Sequence, residues 1–66
     1  MAVTILEALQ NANYNIKTGN SIGMMFAKDQ LNNAVVLLEK GYDLNDEVEP
    51  ILDEYGSAED APDENQ

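Results

Sequence analysis

The sequence contains no cysteine and no histidine, and its only cations are three lysines, with no arginine among them. Without cysteine there is no disulfide and no thiol nucleophile. Without cysteine or histidine the usual zinc ligand sets and imidazole acid–base chemistry are excluded. Three lysines are too few to displace counterions along a phosphate backbone, so direct nucleic-acid binding is not expected. An anionic membrane is disfavoured for the same reason. No apolar run approaches the roughly 20 residues that span a bilayer. The N-terminus has no basic stretch followed by an apolar core, so no signal peptide is expected and the cytoplasm is the expected location.

The chain of 66 residues is one domain's worth. A domain of this size buries only about 60% of the surface its unfolded chain exposes. Small scaffolds compensate with disulfides, a structural metal or self-association. With the first two excluded, a homo-oligomer is expected, most simply a dimer through the first two helices.

The most strongly patterned stretch is 21–41, SIGMMFAKDQLNNAVVLLEKG. Met24, Ala27, Leu31, Ala34 and Leu38 recur at spacings of three and four, which places them on one face of an α-helix. Ser21 suits the N-cap, Lys40 the last turn and Gly41 the left-handed closing position. Before it, Thr4 and Glu7 have the capping-box spacing, and Ile5, Leu9, Ala12 and Ile16 follow with helical periodicity. After it, Leu44, Val48, Ile51 and Tyr55 repeat at four, three and four. Pro50 fits this third helix only in its first turn, or as its start.

The expectation is an all-α fold of three helices, about 5 to 16, 21 to 40 and 46 to 55. The short link 17–20 makes the first two an antiparallel hairpin. The expected core is Ile5, Leu9, Ala12, Ile16, Met24, Ala27, Leu31, Ala34, Val35, Leu38, Leu44, Val48, Ile51 and Leu52. Residues 1–56 form the helical domain. Residues 57–66, SAEDAPDENQ, hold no large apolar side chain and are expected to be a disordered acidic tail.

Net charge is −10, and it is unevenly distributed. Residues 1–42 carry Glu7, Asp29 and Glu39 against Lys17, Lys28 and Lys40 and are neutral. The ten remaining acids all lie between Asp43 and Glu64. An acidic third of this kind attracts a basic protein surface and speeds encounter with it. It equally keeps a small protein soluble.

Several groupings bear on chemistry. Asp46, Glu47, Glu49, Asp53 and Glu54 are paired carboxylates, but a chain this short has little room for the shaped cavity that acid–base catalysis needs. No enzymatic role and no cofactor are expected. The stretch from Asp43 lacks the glycine and terminal glutamate of a calcium loop, so no metal site is expected. The five acids are read instead as a partner-binding surface. Met24, Met25 and Phe26 form a soft apolar cluster suited either to the core or to a partner. The turn with Lys17, Thr18, Asn20 and Ser21, together with Lys28, is an alternative ligand site. Free N–H groups at a helix start and nearby lysines can hold an anion, although the pattern is not a Walker loop.

Stretches such as Ala27-Lys28-Asp29-Gln30-Leu31 and Leu38-Glu39-Lys40-Gly41-Tyr42-Asp43-Leu44, with the lysine-only cations and many asparagines, resemble the small accessory proteins of bacteriophages. The resemblance implies a non-enzymatic inhibitor of a host protein, in some cases one that antagonises host defence. The alternative that it implies is an oligomer sequestering a small nucleotide at a subunit interface.

Overall fold

The computed structural model describes residues 3–19 and 21–64. Among these residues three helices follow one another, α1 (Ile5–Thr18), α2 (Ser21–Glu39) and α3 (Val48–Tyr55), so the fold is all-α. Each boundary has a local cause. At the start of α1 the Glu7 N–H donates to Thr4 Oγ1 at 3.1 Å, and the Thr4 N–H donates to Glu7 Oε1 at 3.3 Å, closing the expected capping box. The helix runs past Ile16 to Thr18. Gly19 ends it in the left-handed region at φ 73°, donating to the Asn15 carbonyl at 3.1 Å.

The end of α2 is a Schellman closure. Gly41 has φ 95°, its N–H donates to the Leu38 carbonyl, and the Tyr42 N–H reaches back to the Leu37 carbonyl at 3.1 Å. Tyr42 packs against the core cluster that contains Leu37. The helix ends at Glu39, so Lys40 lies just beyond it and has other partners, described below.

The loop that follows is tied by its own side chains. The Asp43 N–H donates to Asp46 Oδ2 at 2.7 Å and the Asn45 N–H to Asp43 Oδ2 at 2.9 Å. The loop runs alongside the start of α1, where the Ile5 N–H donates to the Asp46 carbonyl, the Leu6 N–H to the Leu44 carbonyl and the Val48 N–H to the Val3 carbonyl. Two donors at the start of α1 and one at the start of α3, none with a partner in its own helix, are thus satisfied by a distant segment. Because Asp46 is held in this loop, α3 begins at Val48, two residues later than expected. Pro50 falls in its first turn, where its missing N–H breaks no helical bond.

The core is narrower than the sequence pattern indicates. Buried side chains are Ile5, Ala8 and Ala12 on α1, Ala27, Ala34 and Leu37 on α2, Val48 on α3, and Ala58 and Ala61 beyond it; Gly23 is buried as well. The buried stripe of α2 therefore keeps the expected Ala27 and Ala34 but runs through Gly23 and Leu37 in place of Met24, Leu31 and Leu38. Small residues line the α1–α2 contact, which brings the helix axes close. Larger side chains are displaced to the flanks. Leu9, Met24, Leu38, Ile51 and Leu52 are half-buried, while Ile16, Leu31, Val35 and Leu44 are exposed. The expected core placement of those four is corrected accordingly.

The second difference concerns the tail. Residues 57–64 form a strap that folds back on the C-terminal end of α2. Ala58 and Ala61 enter the core, Lys40 Nζ donates to the carbonyls of Glu59 and Ala61, and the Glu64 N–H donates to the Lys40 carbonyl at 2.8 Å. The Tyr42 hydroxyl donates to the Pro62 carbonyl at 2.9 Å, and Asn32 Nδ2 to Glu59 Oε1 at 2.8 Å. Disorder was expected because large apolar residues are absent; two alanines and a set of backbone acceptors hold the strap instead. Residues 65 and 66 lie outside the described residues.

Candidate functional site

The hairpin has two flanks. A residue following a buried position is turned about 100° to one side of its helix, and a residue preceding it to the other. Because α1 and α2 are antiparallel, the following residues of both emerge on one flank and the preceding residues of both on the other. The preceding set includes Asn11 and Tyr14 on α1 with Ile22 and Phe26 on α2. They line a recess of about 450 Å³ together with Asn15, Gly23 and Gln30. Farther along this flank α3 is seated, with Val48 and Leu52 facing Ala8, Gln30 and Asn33. One half of the groove is filled by α3, and the half nearer the hairpin tip is open. There Ile22 is 70% exposed, Tyr14 66% and Phe26 62%. Gln30 Oε1 is buried between the two halves without a hydrogen-bond partner.

The other end of the molecule carries the charge. A recess of about 410 Å³ is bordered by Asp46, Glu47 and Glu64, with Tyr42, Asn45, Pro50 and Ile51 completing its wall. Apolar surface beside three carboxylates matches a lysine or arginine side chain, whose stem is apolar and whose head is cationic. The field shows in Tyr42. Partial desolvation pushes its hydroxyl above the ordinary tyrosine value, and the negative charge of Glu64, then of Glu54 and Asp46, raises it further. Glu59 behaves oppositely. The Asn32 amide, its own backbone N–H and the nearby Lys40 ammonium hold its carboxyl below the usual range against a smaller opposing effect of desolvation.

Of the five acids proposed from sequence as one rigid surface, Glu47, Glu49, Asp53 and Glu54 are exposed, and the last three lie on α3. Asp46 is half-buried and already accepts a loop N–H, so it is a structural as well as a charged group. Met24, Met25 and Phe26 do not form one patch. Met24 is half-buried on the flank away from α3, Phe26 lines the open recess, and Met25 points outward between the flanks, 71% exposed.

The alternative ligand residues are dispersed. Lys17 sits in the last turn of α1, and the Thr18 hydroxyl donates to the Asn15 carbonyl at 3.1 Å. Ser21 is the exposed first residue of α2, Lys28 is exposed two turns on, and Asn20 lies outside the described residues. The recess beside the tip is lined by none of the lysines.

Two contributors were missed in the sequence. Glu64 borders the acidic recess only because the strap returns it there, and Tyr42 supplies its wall. The one available signal was the spacing of Ala58 and Ala61, two small apolar residues three apart in an otherwise polar run.

No group of three or more acidic side chains among the described residues is placed to hold a metal ion. No helix among them is long and apolar enough to cross a membrane. Compared with protein-family models, with curated proteins and with solved structures, the chain has no significant match.

Proposed function

We propose that this protein acts by binding and not by catalysis, and that its partner is a cytoplasmic protein with a basic surface. The observation that carries this reading is the acidic recess of Asp46, Glu47 and Glu64 over an apolar wall, beside the exposed acids of α3. A lysine or arginine of the partner enters the recess, and Glu49, Asp53 and Glu54 meet its neighbours. Charges held on a helix keep their register, so less entropy is lost on binding than with a free tail. The resemblance to small phage accessory proteins adds the direction: the partner belongs to an infected host, and binding inhibits it, with antagonism of host defence as one form.

The test is affinity capture from bacterial lysate at low and high salt. The unmodified chain is compared with a double variant, Glu47→Lys with Glu64→Lys. Capture that is salt-sensitive and lost in the double variant supports the reading, because both changes act on electrostatic attraction. A partner retained equally by both chains at both salt concentrations rejects it. Calorimetric titration with a nucleotide panel, read against Lys17→Ala and Lys28→Ala, tests the sequestering alternative.

A further inference from the structure

We propose that the flank of the α1–α2 hairpin opposite α3 is covered by a second copy of this chain, packed face to face and antiparallel to form a four-helix core. This inference is independent of the basic partner, which engages a different surface. Leu6, Ile16, Leu31 and Val35 are exposed on this flank, with Met24 and Leu38 half-buried among them. All six follow a buried or half-buried position on their helix, so they share one side of the hairpin. Contiguous apolar surface of this extent marks an interaction site. Leu31 remains 38% and Val35 42% exposed after α3 and the strap have packed on the hairpin.

Charge identifies the occupant. This flank carries Lys28 at its tip end, on the same stripe of α2 as Glu39 at the other end. The two are 11 residues apart (39 − 28), about three helical turns. In a two-fold antiparallel arrangement Lys28 of each copy faces toward Glu39 of the other. A parallel arrangement sets like charges together. The antiparallel pairing also puts the two acidic ends, residues 43–64 of each copy, at opposite extremes of the assembly. A basic partner is poorly matched to this side, where Lys17 and Lys28 sit, and a self-complementary face is what two-fold dimers use.

The size is adequate for a modest dimer. A helix of 19 residues is roughly 28 Å long, and two helices side by side are roughly 20 Å wide. That gives on the order of 560 Å² per copy, against about 800 Å² per partner in a standard interface.

Sedimentation from micromolar to millimolar concentration tests the proposal on the full chain. The expected mass rises from 7.3 kDa toward twice that value. Val35→Lys and Leu31→Asp each bury an unpaired charge in the dimer but not in the monomer. Each is expected to raise the dissociation constant at least about tenfold with helical circular dichroism retained. Lys28→Glu weakens the dimer less, and adding Glu39→Lys restores it. Phe26→Ser, on the other flank, leaves it unchanged. A chain that stays at 7.3 kDa throughout overturns the proposal. So does a dimer lost in Phe26→Ser and kept in Val35→Lys. Should the flank variants unfold, isotope-filtered NOEs on the unmodified chain decide, with intermolecular contacts expected at Leu31 and Val35 methyls. Contacts confined to Phe26 and Ile22 refute it.

Discussion

The two ends of the hairpin differ in what covers them. At the closed end, away from the tip, α3 and the strap pack over Ile5 and Leu37, the two fully buried large side chains. At the tip, among the described residues, Tyr14, Ile22 and Phe26 stand exposed around a small-residue seam. The helices are continuous through both regions, so secondary structure does not separate them. Burial does. Stability in a chain this small is therefore concentrated at one end, and the tip is free to vary chemically.

The contrast breaks hardest at Leu37. Leu37→Ala removes a completely buried side chain and is expected to cost about 2–5 kcal/mol, most of the stability available to a domain of this size. Urea denaturation followed by circular dichroism measures it. Ile22→Ala at the tip is expected to change the same midpoint by less than about 0.5 kcal/mol. Equal losses at the two positions would mean that the hairpin, not the closed end, holds the fold.

Truncation before Ser57 comes next. It strips Ala58 and Ala61 from the core and leaves Lys40 and the Tyr42 hydroxyl without their strap acceptors. A loss of about 1–3 kcal/mol is expected in the same denaturation measurement. A strap that merely solvates the protein would be removable without effect.

A smaller effect is expected from Lys40→Met, which keeps the alkyl stem and deletes the ammonium. A loss of about 1 kcal/mol is expected, discounted for partial exposure. Amide exchange should quicken at Ala61 and Glu64 well before it does in α1. Uniform acceleration along the chain would show that the strap does not open by itself.

The smallest effect is that of pH. Glu59 has a lowered folded-state pKa, so its contribution is present above the unfolded carboxylate pKa and fades as pH falls through the folded one. Tyr42 has a raised folded-state pKa, so its contribution is present below the ordinary tyrosine value of about 10 and fades as pH rises through the folded one. Strap exchange protection should accordingly be highest between these limits and fall on both sides. Chemical shifts of Asn32 and Pro62 report each limb separately, and flat profiles at both would rule the linkage out.

The helix count and most of the helix ends were legible in the sequence. The Thr4–Glu7 box and Gly41 act through local bonds that need no tertiary context. The buried face of α2 was harder to read because apolar residues surround that helix. Ala27 and Ala34 were read on the buried face and lie there, but weight given to Met24, Leu31 and Leu38 drew the rest of the stripe away from Gly23 and Leu37, although small residues mark the line where two helices approach. The strap was illegible for a related reason. Its anchors are alanines and backbone carbonyls, and a lysine expected to meet a helix dipole serves them instead. Of the acids that border the recess, Asp46 and Glu47 were named from sequence, and Glu64 was missed because it depends on the returning strap.

The strap also makes the acidic recess a conditional object. Glu64 borders it only while the Glu64 N–H is docked on the Lys40 carbonyl. Whatever occupies the recess and touches Glu64 must then favour the docked strap over the released one, and by reciprocity a docked strap must raise affinity for that occupant by the same factor. Residues 57–64 thus set an occupancy threshold. Anything that captures the free strap, whether a protease or a competing surface, acts as an antagonist of a site it never enters.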